Sequence, residues 1–238
     1  METKRPWDLR AISASDPETT PAVLSSLAQD ESVYVREEVA NNPSTPIEVL
    51  VLLSEDPSLL VRQGVARNPH TPARVVDKLG SDPEVEVRHS VAHNRKTSPE
   101  VLTVLASEDD NNIRGAAAAN PNTPRDVLVK LAEDRDDYIR ALVAFNLSTP
   151  IEVLDRLAGD ADRHVRETIA LNPNTLPETL SFLAGDKWMW TRAYVAIHAH
   201  TPEETLIELT KDVAYEVNKR AIKALNSRGS EKQNDPTT

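Results

Sequence analysis

Arginine returns every 26 residues in this chain, at Arg10, Arg36, Arg62, Arg88, Arg114, Arg140, Arg166 and Arg192. Threonine keeps the same step at Thr19, Thr45, Thr71, Thr97, Thr123, Thr149, Thr175 and Thr201. Asparagine keeps it from Asn42 to Asn172, with His198 in the next place, and an acid keeps it from Asp30 to Asp212. No insertion or deletion breaks the register. A fixed period of this length builds quasi-one-dimensional folds, because one unit cannot bury its apolar face alone and stacked neighbours bury it jointly. The 238 residues hold eight such units after half a repeat over residues 7–16. The prediction is one solenoid domain over residues 1–226 and a disordered polar tail over 227–238.

Each unit divides into two short helices. In Thr45-Pro46-Ile47-Glu48 the threonine is the predicted N-cap, proline takes the first helical position and Glu48 completes a capping box. Residues 149–152 and 201–204 repeat this device, and in 97–100 and 175–178 the proline comes one place later. Val49, Leu50 and Leu53 then follow at helical spacing. Asp56-Pro57 and Asp82-Pro83 are predicted to open the second helix in the same way. Its buried face is Val61, Val65 and Ala66, and Asn68-Pro69 ends it, since a residue before proline avoids helical geometry. A small residue recurs at Ala40, Ala66, Ala92, Ala118, Ala144, Ala170 and Ala196, which lets second helices approach closely. Seventeen prolines against six glycines suit stiff corners rather than flexible turns. The predicted fold is all-α, an α-solenoid of helix pairs.

Leu27-Ala28-Gln29-Asp30, leading into Val35-Arg36-Glu37-Glu38-Val39-Ala40-Asn41-Asn42-Pro43-Ser44-Thr45-Pro46, resembles the leucine-rich repeat variant family. The pattern extends from about Trp7 to about Leu225. The resemblance implies a right-handed superhelix of short helices, some of 3₁₀ type, related in shape to HEAT-like repeats. One form of the family carries a cysteine-bound iron–sulfur cluster ahead of its repeats. This chain has no cysteine, so that feature does not carry over. The family repeat is usually slightly shorter, which makes the second helix here an expected full α-helix. Fold follows from such a resemblance more readily than function, because repeat scaffolds host many functions.

Residues recurring in every unit read most simply as scaffold. Eight guanidiniums in a row could line a phosphate groove, but an acid recurs at the same period six positions earlier, so the two ladders cancel. The expectation is Arg–Asp pairing between repeats, with the asparagines bonding the loops between helices. Function is then sought where the repeats differ. Positions two before, two after and five after the ladder arginine form one stripe of the second helix. In the last four units it reads Tyr138/Leu142/Phe145, His164/Thr168/Leu171, Trp190/Tyr194/Ile197 and Glu216/Arg220/Lys223. Five of the chain's nine aromatics fall on the whole stripe, four of them between Tyr138 and Ile197. Tyr138, Leu142, Phe145, Leu171, Trp190, Tyr194 and Ile197 are therefore the candidate partner-binding residues on a concave face. A protein or peptide is the expected occupant, with basic groups around an apolar anchor because the chain is acidic overall. Self-association into a homodimer through the same patch, and plain packing of its residues, are the alternatives. Trp188 and Met189 either extend the patch or cover the end of the stack.

A formal charge of −11 argues against a general affinity for nucleic acid or anionic lipid. No apolar run reaches the roughly 20 residues of a membrane span and no signal-peptide core opens the chain, which suits a cytoplasmic setting. No phosphate loop, nucleophile elbow or zinc-protease motif occurs, so no catalytic residue, metal site or cofactor is expected. Glu86, His89 and His93 could share one helix face, and His198 and His200 flank Ala199, but both sets read as chance or loop substitution. The alternative function is a nucleic-acid-binding or HEAT-like DNA-glycosylase-type protein, with Trp190 and Tyr194 stacking on a base. That chemistry needs a basic groove, and Arg67, Arg220 and Lys223 are the only fixed cations of the stripe.

Overall fold

The computed structural model describes residues 6–233. Among them are 17 helices and no strand. Contacts divide the chain into two compact units, Met1–Pro124 and Arg125–Thr238. In the first, second-type helices Pro6–Ser15, Val33–Asn41, Leu59–Arg67, Val85–His93 and Asn111–Ala119 alternate with first-type helices Pro21–Leu27, Ile47–Leu53, Ala73–Leu79 and Pro99–Leu105. In the other, first-type helices Arg125–Leu131, Ile151–Leu157, Pro177–Leu183 and Glu203–Leu209 alternate with second-type helices Asp137–Phe145, Arg163–Leu171, Met189–Val195 and Tyr215–Gln233. This is an α-solenoid of repeats about 26 residues long.

First helices of seven residues and second helices mostly of nine are too short to persist alone, so stacking must hold them. Within each unit every second helix packs along the second helices before and after it, while first helices dock mainly on second helices. Fully buried Val61, Val65 and Ala66, and their equivalents Val165, Ile169 and Ala170, make the shared core with Leu50, Leu102, Leu154 and Leu206. Each such leucine or valine withdrawn from water contributes roughly 1.5–3 kcal/mol. Within each unit the second helices pack closely on one another, and the first helices form a looser layer docked on them.

The ladders tie each repeat to the next. The Arg36 guanidinium donates from Nε and Nη2 to Asp56 at 2.7 and 3.1 Å, and from Nη1 to the Asp30 carbonyl at 2.8 Å. Arg62 with Asp82, Arg88 with Glu108, Arg140 with Asp160, Arg166 with Asp186 and Arg192 with Asp212 repeat the fork. Asn68 Nδ2 donates to the carbonyls of Ala40 and Asn42 at 2.8 and 2.9 Å, and its Oδ1 accepts the His70 N–H. These donors are spent inside the scaffold.

Two local expectations are corrected. Thr45 does not cap the helix after it: the N-cap is Pro46, and Thr45 Oγ1 donates back to the Val39 carbonyl at 2.5 Å. The same backward bond recurs from Thr71, Thr97, Thr123, Thr149, Thr175 and Thr201. The Val39 carbonyl already accepts the Asn42 N–H at 3.2 Å, and the hydroxyl fills the second acceptor site of this buried oxygen. Asp56 is likewise not an N-cap, since Ser58 holds that place while the carboxylate accepts the Ser58 N–H and the Arg36 fork. Side-chain capping does occur two residues later in other repeats, at Asp110, Asp136 and Asp162.

The predicted tail boundary is also corrected, because Tyr215–Gln233 is one helix that runs through residue 227. Residues 234–238 of the predicted tail, and residues 1–5, lie outside the described residues. The extended helix has a physical reason. No Asn-Pro ends it, and Ala224 stands at the asparagine position. Arg228 instead reaches back with Nη1 to the Thr201 carbonyl at 2.6 Å and with Nη2 to the Ala199 carbonyl at 2.7 Å. It does for the loop at 198–201 what the asparagines do elsewhere.

Candidate functional site

The unit Arg125–Thr238 carries all seven predicted binding residues. Its second helices hold six of them on one stripe turned away from the core valines, isoleucines and alanines, and Ile197 lies in the turn after the helix Met189–Val195. Phe145 is 69% exposed and Tyr138 64%. Leu171, Trp190 and Ile197 are also exposed, whereas Leu142 and Tyr194 are half-buried. Leu171, Tyr194 and Ile197 meet in one hollow of about 270 Å³ with Pro173, His198 and His200. Trp190 lies against Tyr194, ring centres 6.5 Å apart. Tyr138, Leu142 and Phe145 are not part of that hollow. Their helix, Asp137–Phe145, packs on Arg163–Leu171 and continues the exposed apolar row by one repeat.

Cations border this apolar surface on the C-terminal side. The Arg220 guanidinium sits 5.6 Å from the Trp190 ring centre and pairs with Glu216 at 2.8 Å. A larger cavity of about 710 Å³ is lined by Ile197, His198, Glu216, Lys219, Lys223 and Arg228, among others. Trp188, half-buried, has the Arg163 guanidinium 4.4 Å over its ring. An arginine over an indole face is favourable and keeps the ring ordered.

His198 is a scaffold residue. Its Nδ1 accepts the His200 N–H at 3.1 Å and Nε2 lies 3.0 Å from the Asn172 carbonyl. A neutral imidazole with its proton on Nε2 thus copies the asparagine of other repeats, acceptor for acceptor and donor for donor. Burial holds its pKa below the usual histidine value, with His200 and Arg228 acting in the same direction against the Asn172 bond. His93 is lowered too, by burial and by its neighbours His89 and Arg67. His89 and His93 pack edge to face at 4.7 Å, and among the described residues no three His, Cys, Asp or Glu side chains are gathered to hold a metal.

A family model for leucine rich repeat variants matches residues 35–58, 59–84 and 112–136. The match to leucine rich repeat variants is confined to these three stretches of the chain. A solved leucine-rich repeat variant with a novel repetitive structural motif is 25% identical, covers 86% of this chain and 82% of its own, and superposes with a TM-score of 0.63. The solved YibA protein of E. coli, 12% identical, covers 95% of this chain and 98% of its own at a TM-score of 0.53, a likeness of fold alone. No curated protein sequence matches the chain significantly. The family-model matches end at residue 136, ahead of the stripe residues from Tyr138 onward.

Three functional neighbours of the stripe escaped the periodic reading. Lys219 is off the stripe by spacing yet lines the same cavity as Lys223. Arg163 lies on the helix before Trp188, and only stacking brings them together. Arg228 was placed in the tail, and no recurring position announced its role. The signal for Lys219 and Lys223 was present as a local excess of base in the last helix, set against an acidic chain. Among the described residues no helix is long and apolar enough to cross a membrane.

Proposed function

We propose that this protein is a non-catalytic helical-repeat scaffold that binds a protein or peptide on the inner face of its second helices from Tyr138 to Ile197. The observation that carries the reading is the hollow floored by Leu171, Tyr194 and Ile197 beside the Trp190–Tyr194 pair. Aromatic and aliphatic side chains held half-open on rigid helices lose little entropy on binding and match the composition of interface hot spots. The ladder arginines support the same reading from the other side: committed to acids and carbonyls, they offer no continuous row to a phosphate backbone. The titratable groups of the hollow are Tyr194, His198 and His200, and His198 is engaged as a loop tether, which favours binding over proton-transfer chemistry. A cytoplasmic setting suits this cysteine-free scaffold.

Affinity capture from native extract by the wild type and by Tyr138→Ala plus Trp190→Ala tests it, each checked for folding by circular dichroism and for self-association by sedimentation. A protein retained by the wild type and lost by the variant supports the groove. Identical capture by both, or a dimer that dissociates in the variant, overturns it in favour of packing or self-association.

A further inference from the structure

The unit Arg125–Thr238 is uneven in charge along its second helices. Where second helices begin, acids and bases alternate: Asp136 and Asp137 beside Arg135, Asp162 beside Arg163, and Lys187 after Asp186. Where they end, the loops 146–148, 172–174 and 198–200 carry no acid at all. Past Ile197 that acid-free edge runs into Lys219, Arg220, Lys223 and Arg228 around the cavity of about 710 Å³. The one acid in the cavity, Glu216, is already matched by Arg220. The Arg228 guanidinium is turned to the carbonyls of His198, Ala199 and Thr201. Lys219 and Lys223 are exposed, and the Lys219 ammonium faces the Tyr215 ring at 5.7 Å rather than a carboxylate.

We infer that the partner's binding segment is an acidic peptide: an apolar side chain seats in the hollow of Leu171, Tyr194 and Ile197, and its flanking carboxylates meet Lys219 and Lys223. This rests on the groove reading above and reverses the expectation, drawn from total charge, of a basic partner. The reversal has a physical ground. At physiological ionic strength charges farther than about 8 Å are largely screened, so the groups lining the cavity outweigh the chain's net −11. A nucleic acid offers the same negative sign but a phosphate at every nucleotide. It would overrun this short basic patch, whereas a peptide can confine its charge to a few residues.

The test selects random-sequence displayed peptides on the immobilised full chain, then measures the selected peptides against three proteins: wild type, Tyr194→Ala and the double variant Lys219→Glu plus Lys223→Glu. Both lysines are exposed, so the double variant should fold, and circular dichroism checks it. Selected peptides pairing an aliphatic or aromatic residue with Asp or Glu, bound at least roughly tenfold more weakly by each variant and more weakly in high salt, are the expected result. Neutral or basic peptides lost only with Tyr194→Ala would overturn the acidic partner and leave the groove standing. No selected peptide, or none sensitive to Tyr194→Ala, would overturn both. A single-stranded oligonucleotide that competes as well as the best peptide would overturn the peptide in favour of nucleic acid.

Discussion

In the unit Met1–Pro124 the position two residues after the ladder arginine holds exposed Ile12 and half-exposed Glu38, then buried Gly64, Ser90 and Ala116. In the unit Arg125–Thr238 the same position holds Leu142, Thr168 and Tyr194, all half-exposed. Five residues after the arginine the difference is one of polarity, with exposed Asn41, Arg67 and His93 in one unit and exposed Phe145, Leu171 and Ile197 in the other. Ladders and core are common to both units. A Cβ on Gly64 would stand 3.0 Å from Ala40 Cβ and 3.2 Å from Asn41 Oδ1, so that repeat is closed by direct contact of small groups. The later repeats keep their ladder bonds while carrying a large side chain at the equivalent place. The lesson is that ladders hold the stack, and the stripe is left to vary.

The sharpest way to break this contrast is to cut a ladder. Arg166 and Asp186 have side chains only 7% and 6% exposed. Arg166→Ala should cost about 3–5 kcal/mol, because it strands a buried carboxylate and frees the Asp160 carbonyl. Tyr138→Ala, at an exposed stripe position, should cost under about 1 kcal/mol. Urea unfolding of both variants checks the pair, and equal losses would mean the stripe is core. The ladder also predicts acid sensitivity. Burial would raise the Asp186 pKa, but the Arg166 fork and the Trp188 N–H outweigh it and hold the group below its usual value of 3.8. A folded pKa below the unfolded one contributes stability present above the unfolded value and lost as pH falls through the folded one. Stability of the wild type should therefore drop below about pH 4, and more steeply than that of Arg166→Ala.

Next in size is a transplant between the units. Gly64→Tyr copies the residue at the matching place in the later repeat and should destabilise by roughly 1–3 kcal/mol through overpacking against Ala40 and Asn41. Tyr194→Ala should leave stability closer to wild type while weakening partner binding. A neutral Gly64→Tyr, read by thermal denaturation, would show that the first unit can open as the second does.

Thr191 offers a smaller and opposite effect. It is fully buried where other repeats have Val61, Val87 or Val165, and its hydroxyl finds no hydrogen-bond partner. Thr191→Val keeps the shape and removes the stranded polar group, so it should stabilise by about 1 kcal/mol. A loss of stability in urea would mean that water serves the hydroxyl. The smallest effect belongs to His198. Its lowered pKa contributes stability that is complete above the unfolded value near 6.5 and disappears as pH falls through the folded one. His198→Asn should remove that slope, seen as a melting temperature that no longer declines between neutral and mildly acid pH.

Much of the scaffold was legible. Period, helix pairing, the buried valines and leucines and the inter-repeat Arg–Asp bonds all follow from positions that recur, since residues in equivalent surroundings repeat together. The stripe was legible as a face, though not as one site. Only Leu171, Tyr194 and Ile197 share a hollow, because exposure follows from helical spacing whereas enclosure depends on how far each neighbouring helix is turned.

By itself, then, the amino-acid order determined the repeat, the helices and the residues that bind one repeat to the next, for these rest on local spacing and on periodic burial. Tertiary structure alone decided that Thr45 bonds backward to Val39 and that Asp56 serves an arginine before it serves a helix. It also decided that Arg228 and His198 stand in for asparagines, and that Lys219 and Lys223 border the apolar hollow. The reason is twofold: a hydroxyl, an imidazole or a guanidinium bonds where stacking buries a carbonyl or carboxylate, and groups some 26 residues apart become neighbours only once the repeats have stacked.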